Sequence, residues 1–91
     1  MSAHYVPIDC EFHDVLEATA TGRRAATVRH LDEDGHTRIT HARIVDLYAK
    51  DGVEYLQLDD GDVIRLDRIV SIDQAQRSAF EERARPRPPT A

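Results

Sequence analysis

Val53-Glu54-Tyr55-Leu56-Gln57-Leu58, Asp59-Asp60-Gly61-Asp62 and Val63-Ile64-Arg65-Leu66 follow one another without a gap. The first run is a short strand rich in β-branched, aromatic and aliphatic residues, the second a polar turn with glycine, and the third another strand. Working back, Lys50-Asp51-Gly52 is a turn, and residues 37–47 form a longer strand whose alternation is imperfect. Ile39, Ala42, Ile44 and Leu47 do not share one face at a period of two, so a bulge or strong bend is expected within this strand. Further back, Asp32-Glu33-Asp34-Gly35 reads as a hairpin turn after the strand Ala26-Thr27-Val28-Arg29-His30-Leu31. Forward, Asp67-Arg68 interrupts the chain briefly before Ile69-Val70-Ser71-Ile72. Three glycine-containing turns at regular spacing favour a small, bent antiparallel sheet or barrel of about five strands. Leu56, Leu58, Ile64, Leu66, Ile69 and Ile72 are its expected core.

A helix precedes the sheet. Pro7 fixes its own φ and holds Val6 extended, and Asp9 is suited to cap a helix running from about residue 10 to 20. At 100° per residue Phe12, Val15, Leu16 and Thr19 form the core stripe, with His13, Asp14 and Glu17 on the opposite side. Gly22 fits the left-handed position that ends such a helix. The fold class is therefore mainly β with α, in the order found in Sm-like barrels. A domain over residues 1–72 is expected. Beyond it, residues 73–91 offer a short helix opened by Asp73-Gln74-Ala75-Gln76 and then a disordered Pro/Arg tail.

The chain has 91 residues, 17 acidic against 12 basic, for a net charge of −5. That is one domain, and the charge argues against a simple nucleic-acid binder, which carries a basic footprint. Residues 1–20 hold Asp9, Glu11, Asp14 and Glu17 and no Lys or Arg. Asp14 and Glu17, spaced i, i+3, point to solvent together and can meet a basic partner as a pair. No membrane span is expected, since no long apolar run occurs. Met1-Ser2-Ala3-His4-Tyr5 lacks the pattern of a secretory signal, and a cytoplasmic location follows as the expectation.

Chemistry is sparse. The single cysteine, Cys10, excludes an internal disulfide and is expected to be buried in packing. Five histidines show no helical HxxxH spacing, and His30, His36 and His41 around the first hairpin are the only grouping that suggests a metal. Neither a catalytic set nor a cofactor motif stands out, so no metal, no cofactor and no enzyme activity are expected. Arg65, Arg68 and the tail arginines make an RNA-binding module the alternative, although acids neighbour most of them.

Tyr5-x-Pro7-Ile8-x-Cys10 followed by Asp14-x-Leu16-Glu17 resembles the start of the Rho-binding antiterminator family, Rof. Asp46-Leu47, Val53-Glu54-Tyr55-Leu56 and Ile64-Arg65-Leu66-Asp67-Arg68-Ile69-x-Ser71 are similar to later parts of that family, in the same order. The likeness spans about residues 5–72 and departs around residues 23–43. It implies an Sm-like inhibitor of the termination factor Rho that binds the OB-folds of Rho's amino-terminal domain and blocks the primary RNA site. In that reading Asp14 and Glu17 carry the contact, Asp9 and Glu11 support it by charge and position, and Tyr5, Pro7, Ile8 and Cys10 anchor the segment to the barrel. Leu66-Asp67-Arg68 is expected to be a structural turn, with Asp67 bonding its own backbone. The partner is Rho, with no direct nucleic-acid contact, and the protein itself is expected to be a monomer.

Overall fold

The structure, a computed structural model, describes residues 5–84. Helix α1 (Cys10–Thr21) is followed by strands β1 (Ala25–Leu31), β2 (Thr37–Lys50), β3 (Val53–Leu58) and β4 (Val63–Arg65). A 3-10 turn (Leu66–Arg68) then leads to β5 (Ile69–Ile72), β6 (Ala75–Gln76) and helix α2 (Arg77–Ala84). All strand pairs are antiparallel, in the order β4-β3-β2-β1-β5-β6. The sheet is bent and unclosed: β4 lies at one end of the order and β6 at the other, so the barrel alternative is not realised. Six strands form where about five were expected. The additional β6 pairs Ser71 with Gln76 and Ile72 with Ala75, and α2 therefore starts at Arg77 rather than at Asp73.

The bend lies in β2. Its first half, up to Arg43, pairs with β1, and from Ile44 onward it pairs with β3. The register slips between Ile44, opposite Leu58, and Asp46, opposite Gln57, which leaves Val45 as the extra residue of a bulge. That single insertion resolves the imperfect alternation. Ala42 and Ile44 face the core on one side of it, and Leu47, on the other, packs against the same core. Ile39 is the odd member, 62% exposed on the outer surface opposite Arg29. At the far end of β2, Asp51 (φ 54°) and Gly52 (φ 79°) are both left-handed, the geometry a two-residue hairpin turn needs to match strand twist.

Helix α1 closes the core against the sheet. Asp9 caps it, its carboxylate accepting from the Glu11 backbone N–H at 2.9 Å. Phe12, Leu16 and Thr19 are buried and Val15 is partly so. The buried Thr19 hydroxyl donates to the Val15 carbonyl at 2.8 Å, so no polar group is stranded. Phe12 and Leu16 join Val28, Leu56, Leu58, Ile64, Leu66, Ile69 and Ile72 in one apolar cluster. Each such side chain contributes about 1.5–3 kcal/mol when fully buried. Phe80 of α2 meets Phe12 at 5.5 Å between ring centroids, which docks the second helix on the first.

Two local expectations are corrected. Gly22 is not left-handed: its φ is −68°, and the left-handed residue is Arg23 at φ 54°. The helix thus runs through Thr21 and turns one residue later. Cys10 is exposed rather than buried. It lies two residues before Phe12, about 200° around the helix, so the stripe that buries Phe12 turns Cys10 outward. Residues 85–91, the Pro/Arg tail, lie outside the described residues.

Candidate functional site

Asp14 and Glu17 are exposed on α1, as the helical spacing requires. Asp14 makes no hydrogen bond or ion pair among the described residues. Glu17 accepts from His13 Nδ1 at 2.8 Å, one helical turn away. His13 gathers with them, as its angular position suggested, a ring nitrogen lying within 4.8 Å of an oxygen of each. It is half-buried, and its Nε2 reaches Glu54 Oε2 on β3 at 3.0 Å. A ring with N–H on both nitrogens satisfies both carboxylates, whereas a neutral ring satisfies one. Of the two supporting acids, Asp9 caps the helix with its carboxylate and Glu11 is exposed in the first turn.

Glu54 is a hinge between two parts of the molecule. Its other oxygen, Oε1, accepts from the Tyr5 hydroxyl at 3.1 Å. Burial, together with the Glu54 carboxylate, holds that hydroxyl well above the ordinary tyrosine range. Over the Tyr5 ring lies the Arg65 guanidinium, 5.8 Å from the centroid. Arg65 in turn grips Asp67 by a two-pronged contact, Nε to Oδ1 at 2.8 Å and the terminal nitrogen to Oδ2 at 2.6 Å. The pair is well covered, with 14% and 9% of the two side chains exposed. Asp67 also accepts from the Val6 backbone N–H at 3.0 Å. Burial pushes the Asp67 carboxyl up, but Arg65 and the Val6 N–H outweigh it and hold the group below its ordinary value.

Asp67 is therefore structural, as expected of the turn, but it bonds the backbone of the amino-terminal segment instead of its own. The segment is anchored by Tyr5 and Val6, with Ile8 packed on the core, while Pro7 and Cys10 are exposed. The Tyr5–Glu54 contact spans 49 positions and the Val6–Asp67 contact 61. Nothing local in the sequence pairs these residues.

Of the arginines of the alternative reading, Arg65 and Arg68 make contacts within the domain, and the tail arginines lie outside the residues whose side chains are described. Arg65 is held by Asp67, and Arg68 donates to the Asp32 carbonyl at 3.1 Å. The three hairpin histidines do not converge either. His41 meets Thr27 at 3.1 Å on the outer surface, while His30 meets Thr40 at 3.3 Å on the inner one. His36 instead groups with Asp32 and Asp34. Asp32 already accepts from the backbone N–H groups of Asp34 and His36 at 2.9 Å each and from Arg38 Nε at 3.0 Å.

Among the described residues no helix is long and apolar enough to cross a membrane. No known family model matches the chain, and no curated protein is found to be similar to it.

Proposed function

We propose that this protein is a non-enzymatic inhibitor of Rho-dependent transcription termination. In this reading α1 binds the amino-terminal RNA-binding domain of Rho, and the bound protein denies RNA its primary site. The observation that carries it is the exposed Asp14/Glu17 pair on a helix whose whole preceding segment lacks a cation. An OB-fold groove that holds RNA is lined by cations and aromatics, and carboxylates can take the places of phosphates there. The ordered motif likeness points the same way. Its residues also have physical work to do in this molecule, since Tyr5, Glu54, Arg65 and Asp67 together fasten the segment that leads into α1. A cytoplasmic monomer that acts by occupancy fits this role.

The test is retention of purified Rho on the immobilised protein, with and without competing RNA. Wild type retains Rho, RNA displaces it, and rising salt weakens it, because exposed charges are screened over about 8–10 Å at physiological ionic strength. Asp14→Lys/Glu17→Lys loses retention while keeping its circular dichroism spectrum and melting temperature. Undiminished retention by that double variant sinks the proposal. Tight, salt-sensitive binding of unstructured RNA by the protein alone favours the RNA-binding alternative, for which the Arg65 guanidinium is already held by Asp67 and one nitrogen of Arg68 by the Asp32 carbonyl.

A further inference from the structure

The His13 ring stands between two carboxylates that belong to different elements. Its Nδ1 is 2.8 Å from Glu17 Oε1 on α1, and its Nε2 is 3.0 Å from Glu54 Oε2 on β3. Asp14, also on α1, brings an oxygen within 4.8 Å of the same group. Tyr5, from the amino-terminal segment, meets Glu54 at its other oxygen, and Arg65 lies beyond, over the Tyr5 ring. Leu47 and Ala49 of β2 and Leu66 add uncharged wall, while Tyr48 and Tyr55 belong to the opposite face of the sheet by the β2–β3 register. Helix α2 meets α1 through Phe80 on Phe12, and its Arg77 and Glu81 pair with each other. Among the described residues no lysine or arginine borders this groove, so a protonated His13 is the one cation set between the two carboxylates.

Resting on the reading of α1 as the contact for a cationic partner, we infer that His13 is a proton-operated gate on Glu17, holding it when protonated and releasing it to the partner when neutral. An imidazolium carries N–H on both nitrogens, whereas a neutral ring carries one and turns a lone pair toward the other carboxylate. The two carboxylates do not lose equally. Glu54 is 35% exposed and Glu17 57%, so water replaces a lost donor more readily at Glu17 than at Glu54. The remaining proton therefore stays on Nε2, toward Glu54, and Glu17 swings free beside Asp14. With the other proton gone to solvent, the face of α1 gains one net negative charge. Imidazole is the side chain that ordinarily changes charge between about pH 5 and 8. Binding and proton loss are linked in both directions: rising pH strengthens the grip on a cation, and a cation bound at Glu17 expels the proton from His13.

The experiment follows isotope-labelled protein by NMR across the histidine range at constant ionic strength, reading the His13 ring nitrogens and the carboxyl carbons of Glu17 and Glu54. Rho affinity is measured over the same range for wild type and His13→Gln, whose amide keeps a donor but takes no proton. The neutral ring is expected to carry its proton on Nε2, and the Glu17 carboxyl carbon to move with the His13 midpoint. In His13→Gln that step is absent. Wild type gains Rho affinity about two- to fivefold relative to His13→Gln as pH rises through the midpoint, the worth of one exposed charge. A neutral ring protonated on Nδ1, or a Glu17 resonance that ignores the His13 titration, overturns the inference whatever Rho does, and neither reading needs a variant to fold. A ratio of wild-type to His13→Gln affinity that stays constant with pH, beside intact α1-dependent Rho retention, removes the gate alone. The Glu17 step without any Rho retention leaves the gate standing and removes the proposed function alone.

Discussion

Asp67 accepts a hydrogen bond from the Val6 backbone N–H at 3.0 Å, joining the start of the chain to the turn before β5. The same carboxylate neutralises Arg65, whose guanidinium covers Tyr5, so one side chain holds the amino-terminal segment by two routes. Removing it takes from Arg65 its two-pronged acceptor under partial cover. Asp67→Ala is expected to cost about 2–3 kcal/mol, or roughly 10–20 °C in melting temperature for a domain of this size. Asp67→Asn keeps one acceptor and costs less. Hydrogen exchange separates this fastening from general destabilisation, since the Val6 amide in Asp67→Ala exchanges far faster than amides of β3.

Acid sensitivity follows from the same group and from two others. Asp32 is held low by the His36 backbone N–H and Arg38, and Asp73 by the Thr27 backbone N–H and Arg24. For Asp32, Asp67 and Asp73 the folded value lies below the ordinary 3.8. The unfolded chain therefore takes up protons first as pH falls. The stability these carboxylates contribute is present above about pH 4 and is lost as pH drops through their folded values. His30 adds an earlier step of the same sign, because burial pushes its imidazole below the ordinary 6.5. Urea unfolding between pH 7 and 2.5 is expected to show a shallow decline starting near pH 6.5 and a steeper one below pH 4. His30→Gln removes the first, and Asp73→Asn reduces the second.

The sheet was legible wherever a local pattern decides the outcome. The turns at Gly35, Gly52 and Gly61, the core set Leu56 to Ile72, and the irregularity of β2 all follow from alternation and turn chemistry. Where the alternation of β2 breaks was not legible, because the switch of partner from β1 to β3 depends on both hairpins at once. His13 was half legible for a related reason. Helical angle puts it beside Asp14 and Glu17, where it lies, but does not give its second contact, which exists because β3 passes close enough for Glu54 to meet its other nitrogen. Glu54 itself reads in the sequence as one more polar residue of a strand. Its contacts with Tyr5 and His13 are tertiary and leave no local mark. The exposed pair on α1, by contrast, needs only the helix and its stripe, so that part of the candidate site was readable.

Cys10 gives an inexpensive check on the orientation of α1. With Phe12 buried and Cys10 exposed, the thiol is open to reagents in the native protein. Ellman's reagent is expected to titrate one thiol per chain without denaturant. Cys10→Ser should shift stability by no more than about 0.5 kcal/mol, as for surface changes generally. A thiol that reacts only after unfolding contradicts this helix rotation.

Val45 tests the bend itself. It is 56% exposed and sits outside the regular pairing, between Ile44 opposite Leu58 and Asp46 opposite Gln57. Deleting it leaves Ile44 inward, Asp46 outward and Leu47 inward, so every pair on either side keeps its partner. What disappears is the local twist by which β2 leaves β1 and turns along β3. The deletion is therefore expected to fold with native register but to lose about 1–3 kcal/mol in urea unfolding, because the flatter sheet covers Phe12 and Leu16 less well. Deleting Arg43 is different in kind: it moves Ala42 to the outer surface and inverts the β1 pairing beyond it, so cooperative unfolding should vanish. Val45→Lys keeps the bulge and its exposure and stays within about 0.5 kcal/mol of wild type. Cross-strand contacts between Leu47 and Leu56, observed by NMR in the Val45 deletion, confirm that register survives; their absence shows that Val45 sets the pairing as well as the bend.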